Sequence, residues 1–202
     1  MRWGHPQPRS GEGDSGAMTE AVLSIGSNLG DRLARLQSAV DGFGAAVREV
    51  SGVYETEPWG VVEQGRFLNA VLIVEDPATD EHGWLRRAHE LEHAADRVRG
   101  ERWGPRTLDV DVISCRDTAA GRSTELLSRD KGLTLPHPLA HLRAFVMVPW
   151  LEVEPEAWLT VAGRHCAVAD LLDELDPADR SELRRTELVL QRSDWADRAG
   201  ER

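Results

Sequence analysis

The spacing of apolar residues changes along the chain and predicts strands and helices. Residues 20–26 form a nearly continuous apolar run, which is typical of a buried strand. The next stretch repeats its apolar residues every three or four positions, as one face of a helix does, at Leu29, Leu33, Leu36, Val40 and Phe43. We expect Asn28 to cap this helix, and Asp31 suits its electropositive start.

Three further strands and a second helix follow from the same pattern. The strands are expected at about 47–54, 67–75 and 107–114. The second helix is expected at about 79–98, with an apolar face made of Trp84, Ala88, Leu91, Ala95 and Val98. The resulting order predicts an α+β fold, a ferredoxin-like βαββαβ sandwich with an antiparallel sheet and additional C-terminal helices.

Composition divides the chain into one domain and two tails. Residues 1–19 are rich in Gly, Pro and polar residues and predict a disordered tail. Residues 20–177 form the predicted domain, and 178–202 are charged and predict a loosely attached C-terminal helix or tail. The longest apolar runs, 70–74 and 145–151, are far shorter than the roughly 18 residues that span a bilayer. We therefore expect a cytoplasmic protein that does not bind membranes.

Net charge and cysteine content exclude some classes of function. A charge of −11 over 202 residues argues against a general nucleic-acid binder, because such proteins need a basic surface. The charge does not argue against ATP, since a local cluster of arginines can bind phosphate. Cys115 and Cys166 are too few to form a four-ligand zinc site, and we expect free thiols.

A pair of aspartates is the strongest chemical signal. Asp109 and Asp111 are two residues apart on a predicted strand, so both carboxylates leave the same face. Neighbouring carboxylates repel each other, and oxygen ligands without nearby Cys or His favour Mg²⁺. Four arginines just upstream fit phosphoryl transfer: Arg97, Arg99, Arg102 and Arg106. A solvated strand face beside a charged helix end is the alternative explanation for the same residues.

Two other features are less specific. His137 lies between Pro136 and Pro138 on stiff, extended backbone, where it could donate to a phosphate or serve only as a structural loop residue. Gly26 to Gly30 follow a strand and open a helix. They lack the GxxxxGK[ST] spacing and the lysine of a P-loop, so we reject that interpretation.

Taken together, these segments resemble the 6-hydroxymethyl-7,8-dihydropterin pyrophosphokinase family. The resemblance covers about residues 20 to 160, and RWGPRTLDVD beside an LPHP element is its most specific part. The matching stretches, in the order of the family, are SIGSNLGDR (24–32), YETEPWG (54–60), FLNAV (67–71), RVRGERWGPRTLDVDVI (97–113) and LTLPHPLAHLRAFVMVPWLE (133–152).

The resemblance implies an enzyme that transfers pyrophosphate from ATP, its co-substrate, to the pterin, giving AMP in folate biosynthesis. It implies two Mg²⁺ held by Asp109 and Asp111, with Arg97 and Arg106 as catalytic arginines. It implies an ATP site lined by His89, Glu92, Arg99, Trp103, Thr134, His137 and Arg143. It also implies a pterin stacked between two phenylalanines and bound at its edge, by Phe67, Phe145, Asn69, Thr56 and Trp59.

Two other functions stay open on the sequence alone. A Mg²⁺-dependent phosphohydrolase could use the same aspartates and would release phosphate without a pterin. A ferredoxin-like nucleic-acid-binding module would need exposed aromatic residues and a basic surface, which the composition does not favour. We expect a monomer whose partners are small-molecule substrates, ATP and the pterin, and no nucleic acid.

Overall fold

The computed structural model describes residues 19–58, 64–95, 106–118, 123–130 and 132–192. The strands within these ranges are β1 (Thr19–Ser27), β2 (Val47–Val50), β3 (Tyr54–Thr56), β4 (Phe67–Asp76), β5 (Asp109–Asp117), β6 (Thr124–Glu125), β7 (Ser128–Asp130), β8 (Leu133–Leu135), β9 (Trp158–Val161), β10 (Arg164–Ala167) and β11 (Arg184–Arg185). The helices are α1 (Arg32–Phe43), α2 (Glu81–Ala94), α3 (Ala144–Val153), α4 (Val168–Asp173) and α5 (Pro177–Ser181). Among the helices in these ranges, none is long and apolar enough to cross a membrane.

The main sheet places β1 at its centre. The strands follow the order β11-β3-β4-β1-β5-β6, and β2 also pairs with β4. β1 runs antiparallel to both of its neighbours, β4 and β5. The register sets Gly26 of β1 opposite Asn69 of β4 on one side and opposite Asp109 of β5 on the other. Three distant parts of the chain therefore meet at one end of the sheet.

Alternate residues of the central strands supply two apolar layers. Leu23 and Ile25 face one layer, in which the strands pack with the buried side chains of α1 and α2, such as Phe43 and Trp84. Val22 faces the opposite layer, in which the strands pack with buried side chains of α3 and α4. The sheet is thus buried on both faces by helices.

The layer under α3 ends where the strand residues become polar. Ile113 of β5 is fully buried in this layer. Asp111 and Asp109 follow at alternate positions on the same face, with side chains 31% and 21% exposed. The change from apolar to polar along β5 leaves a polar hollow beside the start of α3.

The combination of helices with an antiparallel sheet, predicted from the sequence, is confirmed. The expected strand at 47–54 is instead two strands, β2 and β3, because Ser51 leaves the ladder and exchanges hydrogen bonds with Val71. The expected cap of α1 also differs. Asp31 caps this helix by accepting a hydrogen bond from the backbone of Ala34 at 3.0 Å, while Asn28 lies before it and bonds elsewhere.

The C-terminal region continues the fold beyond the limit expected from the sequence. The expected boundary at residue 177 falls at the start of α5, and β11 then joins the edge of the main sheet beside β3. Leu190 is 3% exposed and belongs to the core cluster of α1 and α2. Residues 178–192 therefore contact the rest of the described chain through backbone pairing and a buried side chain.

Candidate active site

A cavity of about 290 Å³ opens at the end of the sheet where Gly26, Asn69 and Asp109 meet. Its lining mixes charged, amide and aromatic side chains, which is typical of a site that orients a polar ligand. The residues that line it are Ser24, Gly26, Thr56, Glu57, Gln64, Phe67, Asn69, Arg106, Asp109, Asp111, His137, Leu139, Arg143 and Phe145.

The two aspartates lie on one wall of this cavity, and each is paired with an arginine. Arg106 donates a hydrogen bond to Oδ2 of Asp109. Nη1 of Arg143 donates to Oδ2 of Asp111 at 2.9 Å, and the Arg143 side chain is only 7% exposed. The positive charges of the two guanidinium groups offset the negative charges of the two carboxylates. The carboxylates lie on the same face of β5, as their spacing predicts.

His137 lies beside the acidic pair as a neutral ring. Its backbone N–H donates to the carbonyl of Ile113 at 2.8 Å, which fixes the loop against β5. The backbone N–H of Leu139 donates to its Nδ1 at 3.2 Å, so the ring proton is on Nε2, 3.9 Å from Oδ2 of Asp111. Burial lowers the pKa of His137 and outweighs the opposing attraction of Asp111. A neutral Nε2–H donor therefore points toward the acidic wall.

Another part of the cavity lining consists of aromatic and amide side chains. Phe67 of β4 and Phe145 of α3 both line it, and the guanidinium carbon of Arg143 lies 5.6 Å from the Phe145 ring centre. Nδ2 of Asn69 donates to Oγ1 of Thr56 at 2.8 Å, and both residues are buried. This hydrogen bond fixes the orientation of the Asn69 side-chain amide, with its nitrogen toward Thr56.

Gly26 leaves room for these groups. A Cβ atom at this position would lie 2.9 Å from Oδ1 of Asn69 and 3.7 Å from a ring carbon of Phe67. A contact of 2.9 Å is too short for a carbon atom, so any larger residue would displace the amide. Position 26 therefore requires a glycine because the backbone of β1 lies so close to the side chain of Asn69.

A family model for 7,8-dihydro-6-hydroxymethylpterin-pyrophosphokinase matches residues 22–155 of this chain. The chain belongs to this family. Proteins named 2-amino-4-hydroxy-6-hydroxymethyldihydropteridine pyrophosphokinase support the assignment. The one from Mycobacterium tuberculosis (strain ATCC 25618 / H37Rv) is 61% identical over 168 residues, which is 83% of this chain and 89% of the relative. The one from Mycobacterium leprae (strain TN) is 60% identical over 176 residues, which is 86% of this chain and 92% of the relative.

A solved structure from the same family has a similar fold. A crystal structure of Plasmodium falciparum HPPK-DHPS A437G with pteroate superposes with a TM-score of 0.61 at 11% sequence identity. The similarity covers 89% of this chain and 48% of that longer chain, so this chain spans about half the length of the Plasmodium protein. At this identity the likeness shows the fold alone.

The structure brings together most of the family-implied residues that it describes. Nine of them line the cavity: Thr56, Phe67, Asn69, Arg106, Asp109, Asp111, His137, Arg143 and Phe145. Four others, Trp59, Arg97, Arg99 and Trp103, lie outside the described residues.

Three described residues of the expected ATP site do not line this cavity. His89 is exposed on α2, and Thr134 is exposed on β8. Glu92 is 5% exposed, and its Oε1 accepts the backbone N–H of Val110 at 2.9 Å. Glu92 thereby holds the start of β5, between the two aspartates, and this structural contact was not foreseen.

Several residues of the site escaped the sequence analysis, above all Asn28. Its Nδ2 donates to Oε1 of Gln64 at 2.9 Å and to the carbonyl of Gly65 at 3.2 Å. Its Oδ1 accepts the backbone N–H of Arg106 at 2.7 Å. Asn28 thus joins two cavity-lining segments. Ser24, Gln64 and Leu139 also line the cavity and were not predicted to do so. The one sequence signal for them was that Ser24 and Gly26, which are small, interrupt an apolar strand.

The chemistry of the two aspartates fits a divalent cation. In the described residues, no group of three or more His, Cys, Asp and Glu side chains is arranged to hold a metal by itself. Two carboxylates on one face, without a thiolate or a third acid, suit Mg²⁺, which usually takes one or two carboxylates and completes its shell with water and substrate phosphates.

Proposed function

We propose that this chain transfers the pyrophosphoryl group of ATP to 6-hydroxymethyl-7,8-dihydropterin and releases AMP, as a step of folate biosynthesis. The observation that carries the proposal is a single cavity lined by two chemically different groups of residues. Asp109 and Asp111 with their arginines form the phosphate side, and Phe67, Phe145 and Asn69 form the side for a flat heteroaromatic ring. The names of the relatives that are about 60% identical describe the same reaction.

Asp109 and Asp111 would hold the two Mg²⁺ ions, which supply Lewis-acid neutralisation of the ATP phosphates when bound. Arg106 lies beside Asp109 and is within reach of a polyphosphate bound at that carboxylate. Together with Arg97, it would steady the transferred group through forked hydrogen bonds. Positioning and charge stabilisation are expected to supply most of the catalysis, since phosphoryl transfer needs little covalent participation by the protein.

ATP would extend from the acidic wall toward α2 and β8. The neutral His137 is placed to donate from Nε2 to a phosphate oxygen, and the buried Arg143 fixes the orientation of the Asp111 carboxylate. The remaining contacts of the nucleotide, at His89, Glu92, Arg99, Trp103 and Thr134, stay predictions from the family resemblance. For Glu92, the hydrogen bond to Val110 supports an indirect effect through β5.

The pterin would lie between Phe67 and Phe145. Stacking on aromatic rings suits a flat, electron-poor heterocycle, and Asn69 with Thr56 offers amide and hydroxyl groups to its edge. Trp59 stays a predicted contact on the same side. The pterin hydroxymethyl oxygen would then face the phosphates at Asp109 and Asp111, and its in-line attack on the β-phosphorus would expel AMP.

The finer classification of the fold is also part of this proposal. We infer a ferredoxin-like βαββαβ arrangement, which the antiparallel order β3-β4-β1-β5 and the intervening helices α1 and α2 support. The cytoplasmic location, the monomeric state and the absence of a nucleic-acid partner stay predictions. The predicted disordered tail, residues 1–19, lies outside the described residues except for Thr19, which is the buried first residue of β1.

The chemical identity of the products tests the proposed reaction. Phosphorus NMR of a mixture of enzyme, MgATP and pterin should show AMP and a pterin diphosphate appearing together in equal amounts. ADP with a pterin monophosphate, or inorganic phosphate formed without a pterin product, would contradict the proposal and favour a kinase or a phosphohydrolase.

A further inference from the structure

The last described segment of the chain runs along the outer edge of the main sheet. We call residues 184–192 the C-terminal strap. Its first part, β11, pairs with β3, and Thr186 follows by donating both its backbone N–H and its hydroxyl to the carbonyl of Val53, each at 2.9 Å. Its other end is held by Leu190 in the core and by paired amide bonds between Gln191 and Gln37. The strap lies beyond residues 22–155, where the family model matches.

The strap also connects β3 to helix α3. Nη2 of Arg185 donates to Oε1 of Glu152, near the end of α3, at 2.7 Å. The other oxygen of Glu152 accepts from the Tyr54 hydroxyl at 2.9 Å and from the Gly52 backbone at 3.1 Å. The Arg185 guanidinium covers Gly52 so closely that a Cβ there would lie 2.9 Å from its nitrogens. One carboxylate therefore joins the strap, β3 and α3.

Both elements joined in this way contribute residues to the lining of the cavity. β3 ends at Thr56, whose hydroxyl accepts the hydrogen bond that orients Asn69, and Glu57 follows it in the lining. α3 carries Phe145 in its first turn. A change in the distance between β3 and α3 would therefore move the residues assigned to the pterin directly, whereas it would reach β5 only through the hydrogen bond between Arg143 and Asp111.

A second contact ties the strap to the side of β3 that faces away from Thr56. Nη2 of Arg184 donates to Oε2 of Glu55 at 2.8 Å, and Oε1 of the same carboxylate accepts from Arg32 at 3.0 Å. The hydrogen bond from Arg32 is the largest influence that lowers the pKa of Glu55, so this carboxylate is ionised at neutral pH. The Glu55 carboxylate of β3 is thus bonded both to the strap and to the start of α1.

We propose that the C-terminal strap is a positioning element for the pterin side of the active site, acting through Arg185 and Glu152 on the spacing between β3 and α3. This inference rests on the proposed function, because it assigns the effect to pterin binding. The simpler role, protection of an exposed sheet edge, would stabilise the fold without a preference for either substrate.

Kinetics of strap variants separate these two roles. In Arg185→Ala, the KM for the pterin should rise roughly threefold to fivefold, a modest effect because the arginine is largely exposed. In Glu152→Ala, which removes three hydrogen bonds at once, the pterin KM should rise about tenfold or more. The KM for ATP should change less than about twofold in both. The matched control is Arg180→Ala, which removes another arginine that is paired with a carboxylate, that of Asp173 at 2.8 Å.

Two further observations keep the test decisive if a variant is unstable or inactive. Hydrogen exchange at residues 52–57 should quicken in Arg185→Ala and in a chain that ends at residue 183, and should not change in a chain that ends at residue 192. Arg185→Ala and Glu152→Ala should also be non-additive in the double variant, since they act through one contact.

The outcomes distinguish failure of the strap proposal from failure of the proposed function. Wild-type enzyme that forms no AMP in response to the pterin contradicts the function. Wild-type turnover with equal changes in both KM values, or with unchanged pterin KM in Glu152→Ala, overturns the strap proposal and leaves the function standing. Unchanged exchange at residues 52–57 overturns the strap proposal whatever the turnover.

Discussion

Arg143 donates a hydrogen bond to Asp111 across 2.9 Å, from a guanidinium that is almost completely buried. The pair joins the start of α3 to the acidic wall on β5, and it also sets Arg143 against the ring of Phe145. A buried arginine needs this carboxylate, because an unpaired charge there would be costly. The contact therefore links the two aspartates of the cavity to one of its two phenylalanines.

The substitution Asp111→Asn tests the role of this carboxylate as a metal ligand. Asparagine keeps the shape and an acceptor oxygen for Arg143, but it loses the negative charge that favours Mg²⁺ binding and that pairs with the buried guanidinium. Circular dichroism should therefore first show that the variant is folded. We expect turnover to fall by at least about a hundredfold, with a higher Mg²⁺ concentration needed for half-maximal rate. Steady-state kinetics over a Mg²⁺ titration measures both. Asp117→Asn at the far end of β5 is the matched control, and wild-type turnover in Asp111→Asn would refute the assignment.

Gly26→Ala tests the close packing beneath the pterin side. The added methyl group would meet Oδ1 of Asn69 at 2.9 Å and should push the amide away from Thr56. We expect the pterin KM to rise about tenfold to a hundredfold, since small displacements of positioning groups have large effects. Kinetics with each substrate varied in turn provides the measurement. Equal affinity for the pterin in the variant and the wild type would show that the amide does not bind it.

The pH dependence of stability should reveal the buried His137. Its folded pKa lies below the ordinary value of 6.5, so the unfolded chain takes up a proton first as the pH falls. The contribution of the neutral His137 to the free energy of unfolding is complete above about pH 6.5, and it is lost as the pH falls through the folded pKa of this residue. His137→Gln should therefore lose less unfolding free energy than the wild type between about pH 7.5 and pH 5. Urea denaturation measures this difference, and His93→Gln, at an exposed position, should behave like the wild type. A steeper loss in His137→Gln would contradict the sign of the shift.

The two thiols should differ in reactivity. Burial raises the pKa of Cys115 to about 12, whereas Cys166 is partly exposed. In the native protein near neutral pH, a thiol reagent should modify Cys166 quickly and Cys115 only after unfolding. Mass spectrometry after timed labelling would show one modified cysteine, and Cys166→Ser should abolish the fast reaction. Fast labelling of Cys115 would mean that the β1–β5 core opens readily.

Much of the sheet could be predicted because its signals are local. The apolar run of β1 and the alternation around Asp109 and Asp111 specify buried strands and the shared face of the two carboxylates. Within the cavity, the residues that matched a sequence motif were found, including His137 and Phe67.

The parts that escaped prediction depend on distant contacts. Asn28 has the composition of a helix cap, but its partners Gln64 and Arg106 are 36 and 78 residues away, and they draw its amide into the site. The charged residues of the strap show no apolar periodicity, yet Thr186 bonds to Val53, 133 residues earlier in the chain, and Leu190 joins the buried core. Register and long-range pairing of this kind are not encoded by local periodicity.

The decisive measurement for the proposed reaction is the release of AMP from MgATP with and without 6-hydroxymethyl-7,8-dihydropterin. AMP formation should depend on the pterin, match the pterin diphosphate mole for mole, and nearly disappear in Asp111→Asn. AMP or phosphate released at the same rate without the pterin, or no AMP at all from folded wild-type protein, would contradict the proposed reaction.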